Sequence, residues 1–170
     1  MQTVVFEGGP GGLRWIDVVA PTRHELLELA ETHSLHATSV ADCLDPEHLP
    51  KDERIEEVTF IIMRTWDEAA GGEADDVQGM TRKLALFYRP DLVLTIHRKD
   101  QPILGAVRDR FSSGECADRS LSTVLTELTL AMLSSYDRPL EEMPSRARSS
   151  MPPTPCRRFA GFTSSSAGSR

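Results

Sequence analysis

Seven acids fall between positions 42 and 57 of this chain: Asp42, Asp45, Glu47, Asp52, Glu53, Glu56 and Glu57. Carboxylate oxygens suit hard cations such as Mg2+ and Ca2+. Their spacing matches no EF-hand loop, and on spacing alone an acidic face solvated by water is the simpler account. Mg2+ keeps most of its waters and takes only one or two carboxylates, so a weak regulatory site leaves no motif. Both readings of the acids stay open at this stage.

Other chemistry is poorly supplied. There is no G-x-S-x-G elbow. Cys43 sits in a helical segment beside acids, which raise a thiol pKa rather than activate it. Cys43, Cys116 and Cys156 are too far apart for a C-x-x-C pair, so neither a disulfide framework nor a zinc knuckle is expected. His24, His33, His36, His48 and His97 show no metal-binding spacing and read as helix-end and packing residues. No nucleophile, base and electrophile converge, so no catalytic residue is assigned and an enzyme is not expected.

Charge narrows the partners. Residues 1–143 carry 14 Lys and Arg against 26 Asp and Glu, a net charge of −12, whereas 144–170 carry five Arg and no acid. An acidic domain repels phosphate backbones, so nucleic acid is not expected as a partner. The start of the chain has no basic segment followed by an apolar one, hence no secretory signal. No stretch approaches the ~20 apolar residues that cross a bilayer. The chain as given is expected to be soluble and cytoplasmic.

The elements that must position these residues are legible in part. Thr3–Glu7 and Leu13–Val18 read as strands around the turn Gly8-Gly9-Pro10-Gly11-Gly12. That glycine cluster lacks the Gly-Lys-Ser/Thr of a phosphate loop. Thr22 and Glu25 form a capping-box pattern for a helix reaching His33. A short helix spans Thr38–Leu44 and stops at Asp45-Pro46. Arg54–Trp66 reads as one strand buried on both faces, and Asp67–Met80 as an acidic loop. Lys83–Tyr88 and Leu92–His97 are strands joined by a turn. Helices follow at Asp100–Phe111 and Asp118–Met143, the second with Leu121, Val124, Leu125, Leu128, Met132, Tyr136, Leu140 and Met143 at helical spacing. The sum is an α/β protein: a three-layer α/β/α domain whose mixed parallel and antiparallel sheet has about five or six strands.

The order of several short segments goes further than patterning. Trp15-Ile16-Asp17 precedes the capped helix, then come Leu35-His36, Val40-Ala41-Asp42-Cys43-Leu44, Leu49-Pro50-Lys51 and Phe60-Ile61-Ile62-Met63-Arg64. Leu92-Val93-Leu94-Thr95-Ile96-His97-Arg98, then Pro102 and Val107-Arg108-Asp109-Arg110-Phe111, and finally Leu121–Met143 continue the series. This series resembles the N-terminal cytoplasmic domain of the CorA family of divalent-metal (Mg2+, Co2+) transporters, over roughly residues 3–143. The family shows W-I-D/N, G-[IL]-H-P, L-E-D-x-L, R-P-K and a strand of the F-I-V-L-[RK] type in this order. This chain departs from it with Ser34 for Gly, Ala37 for Pro, Ala41 for Glu and Leu49 for Arg.

The resemblance implies a cytoplasmic α/β/α domain attached through a stalk helix to a membrane pore marked Gly-Met-Asn. It implies self-association as a pentamer and a weak regulatory Mg2+ bound between neighbouring domains. It assigns one ligand of that site to Asp42, with the partner carboxylate on a stalk helix beyond this chain. Residues 1–143 are then the domain, with the stalk beginning near its end. Residues 144–170, rich in Pro, Ser and Arg, form a disordered or frame-shifted tail. Attachment to a membrane is expected only through C-terminal helices the chain does not contain. The competing expectation is a free-standing soluble protein-binding module, with Leu128, Met132 and Leu140 of the last helix facing outward as a sticky patch.

Overall fold

The computed structural model describes residues 1–70 and 76–141. The chain divides into two units, Met1–Arg138 and Pro139–Arg170. In the first, six strands form one sheet: β1 (Gln2–Phe6), β2 (Arg14–Val19), β3 (Lys51–Ile55), β4 (Val58–Trp66), β5 (Thr81–Arg89) and β6 (Leu92–His97). The helices are α1 (Arg23–His33), α2 (Ala37–Leu44), the four-residue α3 (Val77–Met80), α4 (Pro102–Ser112) and α5 (Leu121–Ser134). Of the second unit, residues 139–141 are described and helical. Met143, Cys156 and the tail 144–170 lie outside the described residues.

Strand order is β1-β2-β6-β5-β4-β3. Only β2 and β6 run parallel; the other neighbours are antiparallel. Alternation of side chains along each strand sorts the core into two halves. Ile16, Val18, Phe60, Ile62, Phe87, Leu94 and Ile96 pack with Leu26, Leu29, Val40 and Cys43 of α1 and α2. Trp15, Leu84, Leu86 and Val93 pack with Leu104, Val107 and Phe111 of α4 and Val124, Leu128 and Met132 of α5. The architecture is the expected α/β/α sandwich with a mixed six-stranded sheet.

Local chemistry explains the boundaries. Thr22 caps α1 with a full capping box to Glu25. Gly11 and Gly12 take positive φ in the turn between β1 and β2. The expected single strand Arg54–Trp66 is instead a hairpin, with Ile55 paired to Val58 across Glu56 and Glu57. Glu56 sits at φ +56°, a left-handed conformation that costs a non-glycine residue roughly 1–2 kcal/mol. With no Gly, Asn or Pro at the turn, the sequence carries no break there. The segment Asp67–Met80, expected as a loop, contains α3, capped by Asp76.

The last helix is shorter than its apolar pattern. α5 stops at Ser134, and a turn at Ser135 and Tyr136 precedes the helical residues 137–141. The Ser135 hydroxyl donates to the Met132 carbonyl (2.6 Å) and accepts from the Trp66 amide (2.9 Å). The Tyr136 hydroxyl donates to the Arg64 carbonyl (2.9 Å). A serine that offers its side chain to the backbone competes with the helical ladder, and here it ties the end of α5 to the end of β4. The outward patch expected of this helix does not form: Leu128 is 0% and Met132 4% exposed, and among the three only Leu140 is exposed.

Beneath α4 lies a buried polar knot. Asp17 of β2 is paired in register with Thr95 of β6. Its carboxylate accepts from Thr95 Oγ1 (2.5 Å), His97 Nε2 (3.2 Å) and Arg108 Nη1 (2.5 Å). Trp15 Nε1 donates to Thr95 (3.0 Å), and its ring meets Phe111 edge-on. His97 Nδ1 lies 2.6 Å from the Lys99 carbonyl. Both ring nitrogens thus face acceptors, which is the hydrogen-bonding pattern of an imidazolium. Burial alone would push the His97 pKa down, but the Asp17 carboxylate outweighs it and the pKa is raised. Burial likewise works to raise the Asp17 pKa, but His97, Thr95 and Arg108 together lower it.

Two outcomes follow for stability. Asp17, with its pKa lowered by folding, contributes above about pH 3.9 and loses that contribution as pH falls through its folded value. His97, raised by folding, contributes fully below about pH 6.5 and loses it as pH rises through its folded value. Melting temperature against pH is therefore highest between these limits, and His97→Gln flattens the alkaline limb; an unchanged alkaline slope in that variant contradicts the assignment. In chemical denaturation, Leu128→Ala lowers stability by about 2–5 kcal/mol. Leu133→Ala, at a position 62% exposed, stays within about 0.5 kcal/mol of the parent.

Candidate functional site

Asp42 stands near the end of α2, an eight-residue helix too short to be stable alone. Its N-terminus is capped by His36, whose Nδ1 accepts from the Thr38 amide. Its C-terminus is held from below by Lys83. Alternation along β5 sends Leu84 to the α4 side and Lys83 to the α2 side. There the Lys83 ammonium, 9% exposed, donates to the carbonyls of Asp42 (2.6 Å), Cys43 (3.1 Å) and Asp45. A cation at a helix C-terminus satisfies orphan carbonyls and opposes the negative end of the dipole. Burial lowers the Lys83 pKa.

Arg64 extends the same function to the following loop. Its guanidinium donates to the carbonyls of Pro46 (3.3 Å), His48 (3.2 Å) and Gln78 (3.3 Å), and Nε donates to Thr81 Oγ1 (2.6 Å). Two cations from neighbouring strands therefore fix the backbone on both sides of Asp45-Pro46. This leaves the Asp42 carboxylate at the surface, with its side chain 23% exposed.

The carboxylate is already engaged. Lys51 Nζ of β3 lies 2.5 Å from Oδ2 and 3.2 Å from Glu53 Oε2. His48 Nε2 lies 3.5 Å from Asp42 Oδ1. The Asp42 hydrogen bond raises the Lys51 pKa, keeping it an ammonium. The same ammonium sits 5.3 Å from the Phe60 ring centroid, a cation–π contact. Asp42 and Glu53 are thus bridged by a lysine of this chain.

The remaining acids do not converge on Asp42. Asp45 accepts from the Glu47 amide within the loop. Asp52 alternates to the exposed side of β3, Glu56 lies in the hairpin turn, and Glu57 is exposed. Among the described residues, no group of three or more His, Cys, Asp or Glu is arranged to hold a metal ion. Tested against this donor set, Mg2+ fits only as an ion that keeps most of its waters, takes Asp42 as one ligand and displaces Lys51.

Cys43 is inert, its thiol pushed up to about 12 chiefly by burial and further by Asp42. His24 pairs with Glu28 on the surface, His33 is buried in the last turn of α1, and His36 is a cap. Sequence reasoning missed Lys51, His48, Lys83 and Arg64 as the frame of Asp42. The available signal was a lysine and an arginine at core-facing positions of apolar strands.

Comparison with known proteins bears on the fold and the family. The family model of the CorA-like Mg2+ transporter protein matches residues 10–149. No curated protein matches the chain. The complete CorA magnesium transporter from Methanocaldococcus jannaschii superposes with a TM-score of 0.60 at 22% identity, over 81% of this chain and 42% of that one. The soluble domain of the same CorA gives 0.60 at 21% identity, over 81% and 53%. The ZntB cytoplasmic domain from Vibrio parahaemolyticus RIMD 2210633 gives 0.60 at 12%, over 81% and 54%. At these identities the likeness is one of fold. The chain spans less than half of the complete transporter it matches, and among the described residues no helix is long and apolar enough to cross a membrane. A family match running from the glycine turn to beyond α5, on a sheet order that carries W-I-D and T-x-H into one buried knot, leads to one conclusion: this chain belongs to the CorA-like Mg2+ transporter protein family.

Proposed function

We propose that this chain is the cytoplasmic domain of a CorA-like divalent-metal transporter, and that Asp42 supplies one carboxylate to a weak regulatory Mg2+ site between copies of the chain. The observation that carries the reading is the family match over residues 10–149. The geometry around Asp42 supports the finer part. A single partly exposed carboxylate on a helix fixed by Lys83 and Arg64 is a rigid, incomplete ligand set. A water-rich Mg2+ needs little more than one further carboxylate; the resemblance puts it on a stalk helix beyond this chain, and for the chain alone a surface acid of a second copy takes its place.

In this arrangement Lys51 acts as the resting counter-ion. Mg2+ and the Lys51 ammonium compete for Asp42 Oδ2, and a displaced Lys51 keeps Glu53 as its partner. Competition of this kind holds the affinity low, which suits an ion present in cells at high concentration. The binding-module alternative loses two of the three residues named for its patch, because Leu128 and Met132 are core residues.

Titration calorimetry and sedimentation velocity with MgCl2 test the reading. The parent chain binds Mg2+ with a Kd on the order of millimolar, and self-association rises with it. Asp42→Asn abolishes both effects, and Lys51→Met strengthens binding several-fold by removing the competitor. An Mg2+ response that persists unchanged in Asp42→Asn overturns the assignment of Asp42.

A further inference from the structure

The domain is strongly acidic, yet one of its clefts is lined, among the described residues, by five cations and no acid. Arg64 at the end of β4, Arg82 and Lys83 at the start of β5, Arg98 and Lys99 after β6, and Gln101 at the start of α4 surround a volume of about 320 Å3. Arg64 and Lys83 spend their donors on main-chain carbonyls, and Arg82 pairs with Asp67. They form a fixed positive floor. Arg98 and Lys99 are exposed, and among the described residues their side chains make no hydrogen bond or ion pair. A cleft of one charge sign focuses the field and concentrates the opposite ion.

Two further features point to a ligand. Gln101 is 5% exposed; its Oε1 accepts from Thr65, while its Nε2 has no partner among the described residues. This amide donor opens onto the cleft, where a ligand oxygen can accept from it. Helix α4, 11 residues long, starts from Gln101 with no side-chain cap and no acid in its first turn. Its partial positive charge is therefore open to an anion. The cations also crowd one another. Lys83 has its pKa held down first by burial and then by Arg64 and Arg98, and Arg64 first by burial and then by Arg82.

We propose that this cleft binds the phosphate groups of a small polyanion, of the pyrophosphate or nucleoside-polyphosphate class. Guanidinium forks match phosphate oxygens. Four cations in excess of the Asp67 partner suit several negative charges better than one. The site lies on the strand-end side of the domain and does not use Asp42.

The test is calorimetric titration of the chain in metal-free buffer at fixed ionic strength, with sodium pyrophosphate in one arm and ATP in the other. Saturable binding is expected in at least one arm. Similar affinities identify a free polyphosphate as the fitting class, and tighter ATP binding identifies a nucleotide. Arg98→Glu with Lys99→Glu weakens it at least about tenfold without changing the melting temperature, since neither side chain is engaged. Gln101→Glu, which keeps the acceptor for Thr65, weakens it as well. Asp42→Asn leaves it unchanged. Absence of saturable binding in both arms, or an affinity indifferent to the Arg98 and Lys99 replacements, overturns the proposal.

Discussion

The ammonium of Lys83, sunk beneath α2 and bonded to three carbonyls, is the constraint on which the position of Asp42 depends. Burying a cation is costly unless its hydrogen bonds are met. Here the end of a helix meets them, because its last carbonyls have no partner of their own. Each side needs the other: the helix is too short to persist alone, and the lysine cannot be left dry and unpaired. Arg64 repeats the arrangement one strand away for the loop that follows. The result is a surface carboxylate whose backbone is fixed from the core rather than by its own element.

The same economy of cations runs through the domain. Residues 1–143 have an excess of acid, yet several arginines and lysines are turned inward or against backbone. Arg108 closes the knot at Asp17, Arg89 reaches the His33 carbonyl, and Arg119 reaches the Phe111 carbonyl. Most acids other than Asp17 and Asp67 are left toward the outside, where mutual repulsion is weakened by water and salt. Lys51 differs from these, because it sits nearer the surface on the carboxylate of Asp42, the residue proposed to meet a metal.

Much of this was legible in the sequence, and the reasons for the gaps are physical. Hydrophobic alternation and the Thr22–Glu25 capping box gave α1, β5 and β6 close to their observed limits. The hairpin at Glu56-Glu57 was hidden because its turn uses residues that disfavour turns, with the strain at Glu56 absorbed by pairing on both sides. The end of α5 was hidden because Tyr136 and Leu140 continue the apolar period, while the break comes from Ser135 reaching Trp66, 69 residues earlier. Asp42 was singled out through its motif. Its partners were not, since Lys51, Lys83 and Arg64 meet it only once the sheet has brought β3, β4 and β5 together.

The central claim is that Asp42, released from Lys51, is where a divalent ion meets this domain. Paramagnetic broadening of backbone amide signals by substoichiometric Mn2+, a stand-in for Mg2+, tests it most directly. Signals of Asp42, Cys43, Lys51 and Glu53 should fade first and recover when excess Mg2+ is added. Early loss at Glu25, Glu28 and Glu31 of α1 instead, or fading spread evenly over the acidic surface, would contradict it.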